Sequence, residues 1–384
     1  MNNQERTKAI LNYENYDRLP IVHFGFWPET LEKWSHEGHI TFDPTKGCSD
    51  GSLIEKEIAT KLGFDYNWFN VFPGLGFLDP PFEPTVLKQN PDGSKEFLNS
   101  EGVVVIQIDG AGSIPAEVGH TLKDEESWHE HYKPRLQFRE DTILKMSVNT
   151  PAGRVGFNTG GLEFLKQAER EDPLGLMIGS LLGAIRDWFG VTGLSYITFD
   201  NEKLLDEIIQ TVSDFCYFRT EYLLKTGAKF DFAHFWEDVC FKSGPLITPD
   251  FFYNKIGPHY KRMTELVKKY GINIVSVDCD GLIDSLIPTW LENGVNTMFP
   301  IEVGTWDASI KPWRKKYGKE LRGVGGMNKN VFSRDYAAVD AEIERLKPLV
   351  ELGGYIPCPD HRIAPDAKWE NVQYYCEKMR EIFS

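Results

Sequence analysis

Three consecutive apolar runs in the second half of the sequence each end in carboxylates, and a later run leads to a histidine. The run 230–235 ends in Trp236-Glu237-Asp238, and the β-branched run 272–277 ends in Asp278-Cys279-Asp280-Gly281. The run 296–301 is followed by Glu302, and a Pro/Asp loop after 354–356 holds Cys358, Asp360 and His361. Carboxylates gathered at one place repel unless a cation or a proton sits among them. Oxygen donors with one imidazole suit Zn²⁺, or another divalent ion that keeps an open coordination position. Each residue also has a plainer reading. Asp280-Gly281 is a common turn dipeptide, and Asp280 could cap the following helix. Glu302 could be a loop hydrogen-bonder, and Glu237 has either role open. His361 could pair with Asp360 or a backbone carbonyl, and Cys279 and Cys358 read as packed thiols.

An alternation of helices and strands must position these groups. Helical periodicity over 201–226 (Leu204, Leu205, Ile208, Ile209, Val212, Phe215) stops at Gly227. A second helix is predicted over 249–270, with Pro249 in its first turn and Gly271 past its end. Further helices are predicted over 282–292, 308–317, 335–352 and 366–382, between strands starting near 230, 272, 296, 320 and 354. That alternation implies right-handed βα units and a parallel sheet. A doubly wound sheet usually shows an early phosphate loop, and no GxGxxG or GxxxxGK[ST] follows a strand here. The expectation is therefore a (β/α)8 TIM barrel, whose active site forms at the C-terminal ends of its strands. Glu237, Asp278, Asp280, Glu302 and His361 all fall at such ends.

Residues 19–27 read as a first strand, 53–62 as a helix, and 103–108, up to Asp109-Gly110, as a hairpin strand. The stretch 70–135, rich in Pro, Gly and aromatics, reads as an elaboration over the barrel mouth. No repeat, low-complexity tract or linker divides the chain, so one domain is expected over 1–384. Hydrophobic content of 41% and aromatic content of 13% supply a sizeable core and exclude wholesale disorder. A formal charge of −15 argues against nucleic-acid binding, which needs clustered Lys and Arg. The run Arg314-Lys315-Lys316 with Lys319 is short and reads as a solvated helix face. No stretch approaches the ~20 apolar residues of a membrane span. The N-terminus is polar without a signal-peptide core. Six scattered cysteines without a CxxC fit reduced thiols. A soluble, cytoplasmic protein is expected.

At these residues the chain resembles the uroporphyrinogen decarboxylase superfamily. The resemblance is diffuse over nearly the full length. It is strongest in Asp17-Arg18-Leu19-Pro20-Ile21-Val22, residues 277–283, Pro300-Ile301-Glu302, and Ile363-Ala364-Pro365 with Glu370-Asn371-Val372. That superfamily holds two chemistries on one barrel: cofactor-free porphyrinogen decarboxylation, and methyl transfer at a zinc site to or from a corrinoid protein. The decarboxylase branch carries an Arg-Gln-Ala-Gly-Arg segment after its first strand, which grips substrate propionates. Here that place reads His23-Phe24-Gly25-Phe26-Trp27-Pro28, with no arginine. A substrate with eight carboxylates would find nothing there to balance its charge.

The corrinoid methyltransferase branch carries a His-x-Cys-Gly segment, a glutamate about twenty residues on, and a late cysteine before Ile-Ala-Pro. Asp278 falls at that histidine, Asp280 at the first cysteine, Glu302 on the glutamate and His361 on the late cysteine. Every position stays capable of holding metal, but both thiolates are replaced. A harder oxygen and nitrogen set leaves zinc more electrophilic, suited to polarising an ether or hydroxyl oxygen. The chain thus looks like the substrate-side methyltransferases of corrinoid O-demethylase systems. The resemblance implies Asp280, Glu302 and His361 as metal ligands with Asp278 fourth, and Glu237 as a group that orients substrate or acts as general acid. A mouth lined by Phe24, Trp27, Phe157 and Trp236, with Trp68, Phe69, Phe72 and Phe77 as further candidates, would hold a methoxyarene. The Asp-x-His-x-x-Gly element of a corrinoid module is missing, so a partner protein is expected to bring the cobalt. Three rival readings stand beside this one. They are a cofactor-independent decarboxylase, a non-catalytic barrel that binds a corrinoid protein or a ligand, and a Zn²⁺ or Mg²⁺ hydrolase or lyase.

Overall fold

The computed structural model describes residues 1–108 and 115–384, so Asp109-Gly110 at the end of the expected hairpin strand lie outside the described residues. Strand β1 (Val22–His23) pairs in parallel with β2 (Tyr66–Asn67), and β3 (Val71–Phe72) continues from β2. An antiparallel sheet follows, of β4 (Thr85–Gln89), β5 (Lys95–Leu98), β6 (Val103–Gln107) and β7 (Ala116–His120). Next come the hairpin β8 (Ser147–Thr150) with β9 (Gly153–Gly156), strand β10 (Gly175–Gly179) and strand β11 (Phe232–Trp236). A short hairpin, β12 (Cys240–Phe241) with β13 (Gly244–Pro245), precedes β14 (Val275–Asp278). The last strands are β15 (Thr297–Phe299), β16 (Arg322–Met327) and β17 (Tyr355–Pro359).

Among the described residues β17-β16-β15-β14-β11-β10-β3 form one parallel sheet in that order. Helices Gly183–Asp200, Glu202–Lys225, Gly257–Lys269, Ile310–Tyr317, Tyr336–Val350 and Trp369–Ile382 alternate with its strands. The architecture is α/β and TIM-barrel-like, but the ladder is not closed. Between the first and last strands runs a single bridge, Phe26 to Ile363, with Trp27 N–H donating to the Ile363 carbonyl at 3.1 Å. Strand β1 cannot run on to meet β17, because Gly25 takes a left-handed φ of 82°. A Cβ there would meet the Arg362 guanidinium and the Asp50 carboxylate.

Side chains alternate across the strands. On β11, Phe232 and His234 face other aromatics of the sheet: Phe232 stacks on Trp68 at 4.1 Å, and His234 meets Phe69 and Phe299. Phe235 packs outward against Tyr260 of the helix layer. Trp34, Trp68, Trp128, Trp188 and Trp290 are fully buried. Each removes ~150–250 Å² from water, about 4–6 kcal/mol of transfer free energy at ~25 cal/mol/Å². Trp68 and Phe77 are thus core residues rather than mouth residues. The glycine tract 323–326 is the middle of β16. A Cβ on Gly325 would run into the Pro300 carbonyl, so glycine lets the segment leading to Glu302 lie on the sheet backbone. No helix among the described residues is long and apolar enough to cross a membrane.

Candidate metal centre at the strand ends

Parallel register brings the acids together. Trp236 pairs with Asp278, and Asp278 with Phe299, so the residues that follow each strand emerge at one edge. Asp238, Asp278 and Asp280 present carboxylate oxygens that all lie within 4.8 Å of one another. Asp238 is held in the left-handed region, φ 44°, where its Oδ1 accepts the Asp280 N–H at 3.0 Å. Burial, and then the Asp280 charge, push the Asp238 carboxyl up to about 8. Burial, with Asp238 and Asp280 beside it, raises Asp278 well above the usual carboxylate range, against the opposing pull of Arg362. Asp280 Oδ1 is buried without a hydrogen-bond partner, while its Oδ2 lies 3.4 Å from His361 Nε2.

His361 is half-buried. Trp27 stacks on its ring at a centroid distance of 5.4 Å and 13° between planes, and Phe24 sits 5.4 Å away on a tilted approach. Its Nδ1 accepts the Arg362 N–H at 2.8 Å, so the neutral ring carries its hydrogen on Nε2. Glu302 Oε2 accepts the Gly281 N–H at 2.6 Å, and Oε1 accepts the Thr305 hydroxyl at 2.9 Å. Burial and then the Asp280 charge raise the Glu302 carboxyl. Asp360 does not pair with His361. It is buried, and it accepts the N–H groups of Val303, Gly304 and Lys329, which pins the loop after Glu302 beside the loop that carries His361.

Glu237 is corrected by the structure. It is fully buried, and its carboxylate accepts the N–H groups of Leu181, Leu182 and Gly183 at 2.8–2.9 Å and the Tyr260 hydroxyl at 2.6 Å. The acid closes the N-terminus of helix Gly183–Asp200, so it has no free lone pair or proton to offer a substrate. Of the aromatic candidates, Phe24 and Trp27 touch His361, and Phe69 joins Phe24 at 5.6 Å. Trp236 is half-buried with Arg186 5.9 Å above its ring. Phe157 is buried against Phe72, and among the described residues it has no ring contact with His361 or Trp236.

Two further groups belong to the centre. Asp238 stands next to the expected Glu237 and points the other way. Arg362 makes a two-pronged pair with Asp50, at 3.0 and 2.6 Å, and lies over the rings of Phe24 and Phe69. The site is therefore not bare of arginine, as the residues after the first strand had implied.

Three carboxylates within reach of one point, one oxygen of them orphaned in the interior, and an imidazole across from it make a donor set that fits a divalent ion. No family model matches the sequence, and no curated protein sequence matches it. Solved structures do. A methyltransferase from Methanosarcina mazei superposes with a TM-score of 0.63 at 15% identity, covering 100% of both chains. A B12-independent methionine synthase from a Shewanella species gives a TM-score of 0.46 at 11% identity, over 95% of this chain and 98% of that one. At such identities the likeness concerns the fold, and chemistry has to be argued from the site.

Proposed function

We propose that this chain is a metal-dependent methyltransferase on a (β/α)8 barrel, moving a methyl group from a small methoxylated aromatic substrate to a corrinoid carried by a separate protein. The observation that carries the reading is the convergence of Asp238, Asp278 and Asp280 opposite His361, with Asp280 Oδ1 left unpartnered. Asp278, Asp280 and His361 would hold Zn²⁺, with Asp238 as the added oxygen donor. Glu302 fixes the Asp280-Gly281 turn and stands by as a further acid. Bound there, the ion supplies Lewis-acid stabilisation for negative charge on an ether oxygen. The chain's own residues do the rest. Phe24 and Trp27 wall the His361 side. Arg362, held by Asp50, offsets the negative charge around Asp278. The partner's corrinoid would supply the reduced acceptor for the methyl group, and the phenolate would leave with the electron pair of the C–O bond and take a proton from water.

The decarboxylase alternative needs free cationic groups among the acids for a polycarboxylate. The two arginines that act on Asp238 and Asp278 are already paired, Arg186 with Asp187 at 2.8 Å and Arg362 with Asp50 at 2.6 Å, which favours the methyltransferase reading. The test is a spectroscopic transfer assay. Protein of known metal content meets reduced corrinoid protein and a panel of methoxylated aromatics, methylamines, methanol and glycine betaine. Methylation of the cobalt with methoxyarenes alone is expected. No methylation by zinc-loaded protein with its corrinoid partner present would overturn the reading.

A further inference from the structure

A cavity of about 250 Å³ opens between β3, the β8–β9 hairpin and the loop that holds Asp50. At ~30 Å³ per water in the liquid it has room for about eight waters, or for one ring with a small substituent. One wall is apolar, built from Phe69, Phe72 and Leu174. The cavity shares two residues with the centre described above. Phe69 packs on Phe24, and Asp50 grips Arg362.

Its charge is unbalanced. Asp50 is neutralised by Arg362, whereas Arg154, which also lines the cavity, is exposed and makes no hydrogen bond or ion pair among the described residues. Arg154 stands directly opposite Asn149 in the hairpin register, and Asn149 Nδ2 donates to the Asp50 carbonyl at 3.0 Å. Residues opposite each other in an antiparallel pair share a face, so Arg154 is presented on the cavity side with Asn149. On a chain of formal charge −15, an unpaired guanidinium beside an apolar wall is a place where an anion gains and a cation does not.

We infer that this cavity is a subsite for a small planar organic anion: a one-ring carboxylic acid, its carboxylate on Arg154 and its ring against Phe69 and Phe72. Recognition of the anion stands on the cavity alone. Only the further step, that this ring bears the methoxy group, rests on the proposed function.

The test is calorimetric titration of the purified chain with benzoate and with its neutral isostere benzamide. Benzoate is expected to bind the wild type at least tenfold more tightly than benzamide. Arg154→Ala should remove that difference, and Arg154→Lys should keep part of it. Gly74 lines the same cavity and has open space around its Cβ direction, so Gly74→Phe should block binding without disturbing the fold. Equal binding of the two probes by the wild type, no binding of benzoate at millimolar concentration, or benzoate affinity unchanged in Arg154→Ala or in Gly74→Phe would each overturn the inference. None of these readouts depends on methyl transfer, so a failed transfer assay and a failed anion site remain distinguishable.

Discussion

His361 Nε2 and Asp280 Oδ2 face each other across 3.4 Å, and they come from loops on either side of the Glu302 segment. Nδ1 is committed to the Arg362 N–H, so Nε2 is the ring nitrogen turned to Asp280. An ion bound there with Asp238 among its ligands must displace the proton that Asp238 keeps up to about pH 8. Zn²⁺ binding at pH 7 is therefore expected to release at least one proton. Affinity should climb with pH until about 8 and then level. Calorimetry in buffers of different ionisation enthalpy reads the proton count directly, and a count of zero would remove Asp238 from the ligand set.

Ligand removal should separate metal binding from folding. His361→Ala and Asp280→Asn are each expected to weaken Zn²⁺ by more than the ~10–100-fold that loss of an outer-shell partner costs. Both residues are partly exposed, so the thermal midpoint of the metal-free variants should stay near that of the wild type. Unchanged zinc content after dialysis of either variant would show that the ion sits elsewhere.

The metal-free protein should lose stability as pH rises. The folded Asp238 keeps its proton to about pH 8, whereas an unfolded carboxyl gives it up near its ordinary 3.8. Between these values the native state binds more protons than the unfolded one, so unfolding free energy falls with rising pH. Melting temperature is expected to decline from pH 5 to pH 8 in chelator, and Asp238→Asn should flatten that slope. A rise over the same window would contradict the protonated acid.

Glu237 supports structure rather than reaction. Glu237→Ala strands three backbone N–H groups and the Tyr260 hydroxyl in the interior, at about 1–3 kcal/mol for each group that finds no water. A loss of at least ~3 kcal/mol in urea unfolding is expected, with zinc affinity of the folded fraction held. A general acid would show the opposite pattern: stable protein with its transfer rate lost.

Side-chain parity explains which parts of the site could be read in the sequence. Strand ends were legible because apolar runs between amphipathic helices have a clear period, and Asp278, Asp280, Glu302 and His361 follow from that period alone. Glu237 shares parity with Phe235, which faces the helix layer through Tyr260. Counting by twos along β11 would have turned it outward and drawn attention to Asp238. Strand β10 escaped notice because residues 174–182 are as apolar as a buried helix turn and are broken by glycines. Arg362 had no local signal at all. Its role depends on Asp50, 312 residues away, and no window of the sequence holds both.

The Asp50–Arg362 pair also sets an order of events during synthesis. A growing chain holds Asp50 early, and Asp238, Asp278 and Asp280 later, but it has neither His361 nor the arginine that steadies Asp278 until the last strand has been made. Any shorter chain has the acids without their nitrogen partner, a donor set that would suit hard, abundant cations such as Mg²⁺ and would hold them only loosely. On the proposed reading, selectivity for the ion would be acquired late, in the same step that joins the first strand of the chain to the last.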